Sequence, residues 1–234
     1  MPESYGQFCP VAQGAEVLTE RWTLLVVREL LMGSTRFNEL QRGVPRMSSS
    51  LLSKRLRELE RAGVIVKQPL EGERGHSYHL TPAGEALGPL VVALGTWSRD
   101  WLKREISEEE ADPALLMWDM RRSLRLDRLP QERMTTFFRY RDAEDGKRAW
   151  WLVAESESAD VCFSDPGFPI DLQVDAEVQA MAEVWVGQLE LGAAQRSRRV
   201  RVSGPDHLIR TLPDWLGFSS FAYPDPAAVL AERT

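Results

Sequence analysis

Apolar residues recur every three or four positions along residues 10–63, and at every second position after residue 63. The first period predicts helices at about 10–19, 21–32, 36–41 and 47–63, and the second predicts strands at 64–68 and 76–80. The residues between the strands, 69–75, are rich in glycine and charge, as in the tip of a β-hairpin. Helices joined by short turns and followed by a hairpin predict a winged helix-turn-helix domain.

The helix predicted over 47–63 has an apolar side and a polar side. Leu52, Leu56 and Leu59 fall on one line of the helix. The opposite line consists of hydroxyls and cations: Ser50, Ser53, Lys54, Arg57 and Arg61. Ser48 is placed to cap the N-terminus, and Gly63 is placed to end the helix. Such a helix suits a DNA groove, although most helices with a basic face are simply solvated.

The charge distribution favours the DNA-binding interpretation. The chain has a net charge of −6, but residues 19–79 contain eleven Lys and Arg against seven Asp and Glu, a net of +4. The remainder contains eighteen against twenty-eight, a net of −10. A basic segment within an acidic chain is typical of a DNA-binding domain fused to another domain.

Side-chain chemistry selects the candidate DNA contacts. Arg57 and Lys54 are long enough to reach guanine edges, serines bond bases or phosphates, and Arg74 at the hairpin tip suits a minor groove or a phosphate. We expect Arg55 to form an ion pair on the surface instead. The predicted DNA-binding residues are Arg36, Arg46, Ser48, Ser49, Ser50, Ser53, Lys54, Arg57, Arg74 and His76.

A longer apolar pattern begins at Thr81-Pro82, where Thr81 is suited to cap a helix that continues to about residue 105. Its apolar residues have three- and four-residue spacings: Leu87, Leu90, Val91, Leu94, Trp97 and Trp101. The helix is interpreted as a dimerisation helix. Packing within the chain is the alternative, and the spacing alone does not choose between them.

The second half of the chain predicts an α+β domain. Residues 107–112 are acidic and read as a linker between domains at 1–106 and 113–234. After this linker come a helix at 113–129 and strands at 133–140, 149–154, 161–164 and 170–174. A helix at 176–187, a strand at 200–202 and a helix at 205–215 complete the pattern. This order predicts helices packed on one mostly antiparallel sheet.

Composition and motifs provide no case for an enzyme. The three histidines lack the spacing of zinc ligands, and no metal site is expected. No dinucleotide-binding, phosphate-binding or nucleophile-elbow motif is present, so no cofactor is expected. Two cysteines are too few for a disulfide framework, and no run is apolar enough to cross a membrane. The expected location is therefore the cytoplasm.

Several motifs in order resemble the HxlR family of winged-helix transcription regulators across residues 9–102. They are Cys9-Pro10-Val11, Arg21-Trp22-Thr23-Leu24, Arg36-Phe37-Asn38-Glu39-Leu40, the segment 47–63 and Tyr78-His79-Leu80-Thr81-Pro82-Ala83-Gly84. The resemblance implies a homodimer on a pseudo-palindromic double-stranded operator. The helix at 47–63 would enter the major groove, and the hairpin tip would contact the minor groove or the backbone.

The second half is similar to the sterol carrier protein domain over about 113–218. The matching segments are 170–174, 184–189 and 199–204, followed by an amphipathic helix. In that family the sheet and helices enclose an apolar tunnel, so the resemblance implies an apolar small-molecule effector. The candidate lining residues are Trp118, Phe137, Phe138, Trp151, Met181, Trp185, Leu189, Trp215 and Phe218, although each could simply belong to the core.

These observations predict a sequence-specific transcriptional regulator, expected to be a repressor, whose second domain binds an apolar effector. Two alternatives stay open. One is a carrier of lipids or other apolar ligands that uses its helix-turn-helix for protein contacts. The other is a regulator that senses oxidants or electrophiles through Cys9, with the second domain as a dimer scaffold. Cys9 lies beside a helix N-terminus, which favours the reactive thiolate, and it resembles a sensing cysteine of some HxlR members.

Overall fold

The computed structural model describes residues 4–70, 72, 74–102, 104–219 and 222. The chain forms two compact units, 1–95 and 96–234. The domain bounds expected from the sequence, 1–106, 107–112 and 113–234, stay a prediction.

The described part of the N-terminal unit begins with four helices and a two-stranded hairpin, as the periodicity predicts. The helices are α1 (Pro10–Leu18), α2 (Thr23–Leu31), α3 (Phe37–Gly43) and α4 (Ser49–Arg61). The strands β1 (Ile65–Pro69) and β2 (His76–Leu80) are antiparallel. Arg36 forms an isolated bridge with Ser77, which adds a short third segment to the hairpin. This arrangement is a winged helix.

Local signals set the ends of α4. The Ser48 hydroxyl accepts a hydrogen bond from the backbone N–H of Leu51, which confirms Ser48 as the N-cap. At the other end, Gly63 has a φ of 71° just after the helix, a left-handed conformation that costs glycine little. The apolar side of α4 packs into a core with α2 and α3: Val26, Val27, Leu40, Leu52, Leu56 and Leu59.

The expected long helix over 82–105 is wrong, because the structure divides it. Thr81 caps α5 (Pro82–Glu85), as expected, by accepting from the N–H of Gly84. A second helix, α6, begins at Gly88 and ends at Trp97, and Ser98–Leu102 form a π-helical turn. Pro89 explains the break, since proline donates no backbone hydrogen bond and disfavours a helical conformation at the residue before it.

The C-terminal unit is built on a five-stranded sheet of order β5-β4-β3-β6-β7. Its strands are β3 (Arg133–Tyr140), β4 (Ala149–Glu155), β5 (Ala159–Cys162), β6 (Leu172–Ala176) and β7 (Val200–Ser203). β3 and β6 are parallel, and the other three pairs are antiparallel. The prediction of a mostly antiparallel sheet is confirmed.

Within the residues described for this unit, four α-helices pack with the sheet: α7 (Pro113–Ser123), α8 (Val178–Trp185), α9 (Leu191–Arg196) and α10 (Asp206–Leu216). The helix expected over 113–129 ends early, and a short 3₁₀ turn covers Leu126–Arg128. α9 is absent from the sequence prediction, because it is short and Gly192 weakens its helical signal. Side chains from α7, α8 and α10 join one face of the sheet in a core that includes Met117, Phe138, Trp150, Met181 and Trp215.

Candidate nucleic-acid interface

The turn between α3 and α4 is fixed by one side chain. The Gln41 amide Nε2 donates to the carbonyl of Met47 at 2.6 Å and to the carbonyl of Val44 at 3.3 Å. Val44 and Met47 are themselves buried. The turn is therefore anchored both by its backbone and by its side chains, and it holds α4 in a defined direction relative to α3.

The outer side of α4 is open to solvent. Ser49, Ser50, Lys54 and Arg57 are exposed, and Ser53 is partly exposed. Lys54 lies 3.9 Å from the carboxylate of Glu58, a weak contact on an exposed surface. The structure thus brings the predicted reading residues onto one exposed face. The hydroxyl of Ser48 is already engaged in the cap and lies 3.1 Å from the hydroxyl of Ser50.

The expected ion pair of Arg55 is confirmed, but its expected position on the surface is wrong. Arg55 is only 6% exposed, and its guanidinium has three partners from two parts of the chain. It donates to Glu58 at 2.5 Å, to Glu20 at 2.6 Å and to the carbonyl of Arg21 at 3.1 Å. Arg55 therefore fastens α4 to the residues before α2, and sequence spacing could not show a partner thirty-five positions away.

The hairpin exposes two further candidate residues. Leu70 N–H donates to the Gly75 carbonyl at 3.2 Å, and Gly75 has a φ of 129°, a conformation strained for other residues. Arg74 and His76 are exposed beside it. The carboxylates of Glu71 and Glu73 lie outside the described residues.

Tyr78 links β2 to α4 electrostatically. Burial and the carboxylate of Glu60 raise the pKa of Tyr78, while the charge of Arg57 opposes that shift. Tyr78 N–H also donates to the carbonyl of Thr35 at 2.9 Å. The hairpin, the start of α3 and the charged side of α4 are consequently parts of one small assembly.

The two remaining basic candidates lie next to turns. Arg36 is the N-cap residue of α3, and its backbone N–H donates to Glu39 Oε2 at 2.9 Å. Arg46 is exposed in the turn before α4. Both positions fit contacts to a DNA backbone, which stay a prediction.

A family model for the HxlR-like helix-turn-helix matches residues 17–106. The HTH-type transcriptional regulator YvaP of Bacillus subtilis is 37% identical over 98 residues, which cover 41% of this chain and 91% of YvaP. The chain belongs to the HxlR-like helix-turn-helix family.

The chain is also similar to a second sequence relative and to a solved structure. The HTH-type transcriptional regulator sll1512 of Synechocystis is 34% identical over 104 residues, covering 44% of this chain and 77% of the relative. The solved structure of the reduced form of YodB from B. subtilis is 31% identical and covers 41% of this chain and 95% of YodB, with a TM-score of 0.35. Because that score is low, the assignment depends on the sequence matches.

As an HxlR family member, the chain is a DNA-binding transcriptional regulator. The sequence prediction of this family and of its helix-turn-helix is confirmed. Residues 107–234 lie outside the matched region. The likeness of the C-terminal unit to sterol carrier proteins therefore stays a prediction.

The nine residues predicted to line a tunnel do not share one surface. Successive residues of a strand point to opposite faces of a sheet. Phe138 pairs with the buried Trp150, whereas Phe137 pairs with Trp151 on the other face, with ring centroids 4.8 Å apart. Phe137 and Phe138 therefore do not face the same side of the sheet, and the remaining candidates for a ligand cavity stay a prediction.

The other predicted lining residues lie mainly in the core. Buried among them are Trp118, Met181, Trp185 and Trp215, and Leu189 and Phe218 are partly buried. Most of these residues therefore belong to the hydrophobic core, which is the alternative that the sequence left open.

Cys9 is partly buried at the N-cap position of α1. Its role as a sensor stays a prediction. No group of three or more His, Cys, Asp and Glu side chains among the described residues could hold a metal ion. Within those same residues, no helix combines the length and hydropathy needed to cross a membrane.

Proposed function

We propose that this HxlR regulator recognises a specific operator through the outer face of α4 and represses transcription from it. The main support is the set of Ser50, Ser53, Lys54 and Arg57 on the outer face of a helix fixed by Gln41. A helix of this kind reads bases in the major groove, where arginine and lysine bond guanine and serine bonds bases or phosphates.

The hairpin supplies the accompanying backbone contact. Arg74 lies at its exposed tip, and arginine binds a phosphate or enters a narrow minor groove. Because the phosphate contact carries no sequence information, Arg74 contributes affinity and α4 contributes specificity.

The regulator acts as a homodimer through α6. Leu90, Leu94 and Trp97 are 51%, 46% and 51% exposed, and their spacings place them along one side of this helix. A second copy of the same helix covers these apolar side chains. Two-fold pairing also provides two α4 helices for the two halves of a palindromic operator.

The C-terminal unit acts as the receptor for an apolar effector that changes operator affinity. Its sheet and helices have a large apolar core, and Trp185 of that core also borders a cleft. An effector whose affinity differs between the DNA-bound and DNA-free forms of the protein changes the affinity of the protein for DNA.

Fluorescence anisotropy with a labelled duplex from the regulator's own promoter tests the DNA proposal. We expect tight binding that weakens steeply as salt rises, and weaker binding to a shuffled duplex of equal length. A carrier protein that uses the helix-turn-helix for protein contacts would bind both duplexes equally weakly. That result would contradict the proposal.

A further inference from the structure

Residues 104–106, which precede α7, are held on the C-terminal unit by two glutamine side chains. Gln179 Nε2, on α8, donates to the carbonyl of Ile106 at 2.7 Å. Gln188 Nε2, just beyond α8, donates to the carbonyl of Arg104 at 3.1 Å. These two hydrogen bonds fix this short piece of backbone against one helix.

Glu110 closes the same segment into a loop. Its carboxylate accepts from the backbone N–H and the hydroxyl of Ser107 at 3.1 and 3.0 Å. It also forms an ion pair with Arg104 at 2.7 Å. The loop 104–110 therefore has a defined shape although it contains no helix or strand.

A cleft of about 300 Å³ lies between this loop, α7 and α8. Its apolar wall is formed by side chains from all three segments: Ile106, Leu115, Leu116, Ala182, Trp185 and Val186. This volume falls at the lower end of the range of small-molecule sites, about 300–1,000 Å³. The cleft is thus large enough for a small ring system.

Trp185 provides a polar group with no evident role in the fold. Its side chain is only 3% exposed, and its indole Nε1 has no hydrogen-bond acceptor among the described residues. A buried N–H that has lost its water and gained no acceptor costs free energy. An acceptor atom on a bound molecule would remove that cost.

The charges around the cleft disfavour an anionic ligand. Its lining includes four carboxylates, Glu105, Glu110, Asp112 and Asp119, and one guanidinium, that of Arg104. Arg104 pairs with Glu110, and Arg122, outside the lining, pairs with Asp119, so the excess amounts to two carboxylates; these would repel a fatty acid carboxylate. A neutral molecule avoids that repulsion.

Building on the proposed receptor role of the C-terminal unit, we propose that this cleft is its effector site. The ligand is a flat, uncharged apolar molecule with a carbonyl-type oxygen that accepts from the indole N–H of Trp185. One wall of the cleft is the loop 104–110, so a bound molecule acts directly on the chain segment that precedes α7. Ligand binding thereby acts on residues 104–106, the segment that Gln179 and Gln188 hold.

Equilibrium dialysis of the full-length chain against two matched bicyclic probes tests this site. The probes are 1-tetralone, which carries a carbonyl oxygen, and tetralin, which does not. The wild type should bind 1-tetralone about three- to tenfold more tightly than tetralin, the preference that one net hydrogen bond supplies. Trp185→Phe keeps an aromatic ring without the N–H, so it should lose this preference and bind tetralin at least as tightly as 1-tetralone, whose oxygen would then be buried without a donor.

Two further variants separate the cleft from the rest of the unit. Ala182→Phe fills the cleft and should abolish binding of both probes. Ala193→Phe makes the same change on α9, outside the lining, and should leave binding unaltered. Equal binding of the two probes by the wild type, or full binding by Ala182→Phe, would overturn the proposal.

Operator binding by the same preparations distinguishes this site from the proposed function. A wild type that binds its operator but shows no probe binding sensitive to Ala182→Phe refutes the effector site alone. Conversely, cleft-dependent probe binding by a chain with no affinity for its promoter supports the site and refutes DNA recognition.

Discussion

Gly43, at the end of α3, lies directly against the carboxylate of Glu29 on α2. A Cβ atom added to Gly43 would fall 1.7 Å from Glu29 Oε2, far inside van der Waals contact. Glu29 is fully buried, and its carboxylate pairs with Arg28, whose guanidinium also donates to the Gly43 carbonyl at 3.1 Å. The packing of α2 on α3 therefore depends on the absence of a side chain at this position.

Gly43→Ala should lower the free energy of unfolding by about 1–3 kcal/mol, as overpacking of a filled site does. Gly14→Ala provides the control, since Gly14 is inside α1 and an added Cβ would contact nothing within 4 Å. That substitution should stabilise by about 0.5–1 kcal/mol through helix propensity. Urea unfolding followed by circular dichroism measures both, and equal effects would contradict the close approach.

Arg57→Ala should weaken operator binding by about 1–3 kcal/mol and relax the preference for the operator over a shuffled duplex. The reason is that Arg57 is exposed on the outer face of α4 and is long enough to bond a guanine edge. Anisotropy titrations measure both quantities. Arg196→Ala, an exposed arginine on α9, is the control. Unchanged affinity of the Arg57 variant would show that the reading face is wrong.

Arg74→Ala should weaken binding to operator and shuffled duplex by the same factor. A single lost phosphate contact should also reduce the slope of log K against log salt by about 1. Titrations at several salt concentrations give this slope. A selective loss of operator binding would instead assign base recognition to the hairpin tip.

Leu94→Glu should convert the proposed dimer into monomers. Leu94 is about half exposed on α6, so the glutamate is tolerated by a single chain but places like charges together across a two-fold interface. Light scattering after size exclusion measures the mass. Val66→Glu, at an exposed position of β1, should remain dimeric. A dimer unaffected by Leu94→Glu would place the interface elsewhere.

Tyr140→Phe should reduce the loss of stability at alkaline pH. Burial, with the charge of Asp142, raises the pKa of Tyr140 far above its ordinary value. The unfolded chain loses this proton at about pH 10 whereas the folded chain keeps it. The contribution of Tyr140 to the free energy of unfolding is therefore complete below pH ~10. Above that pH it declines by up to about 1.4 kcal/mol per pH unit.

At neutral pH the same substitution should have a small effect, since the hydroxyl donates to a weak acceptor, the sulfur of Met117 at 3.4 Å. Urea unfolding between pH 8 and pH 11 compares the variant with the wild type. Tyr5→Phe, at an exposed position, is the control and should follow the wild type. If the free energy of unfolding of Tyr140→Phe declines with pH as steeply as that of the wild type, this tyrosine is not the titrating group.

Local sequence determined α1 to α4, the hairpin that follows them and most of the exposed basic face of α4. Ser48 and Thr81 cap helices through hydrogen bonds that span three residues, and Gly63 ends α4 through its own backbone conformation. The outer face of α4 follows equally from helical spacing. These features need only near neighbours, so the sequence alone predicts them.

Tertiary structure decided which of the remaining residues face solvent and which are enclosed. Arg55 is buried because Glu20 and the carbonyl of Arg21 reach it from another part of the chain. Phe137 and Phe138 are neighbours in sequence, yet the pairing of β3 with β4 sends them to opposite faces of the sheet. Such outcomes depend on contacts between distant segments, and periodicity along one segment contains no information about the partner that will cover it.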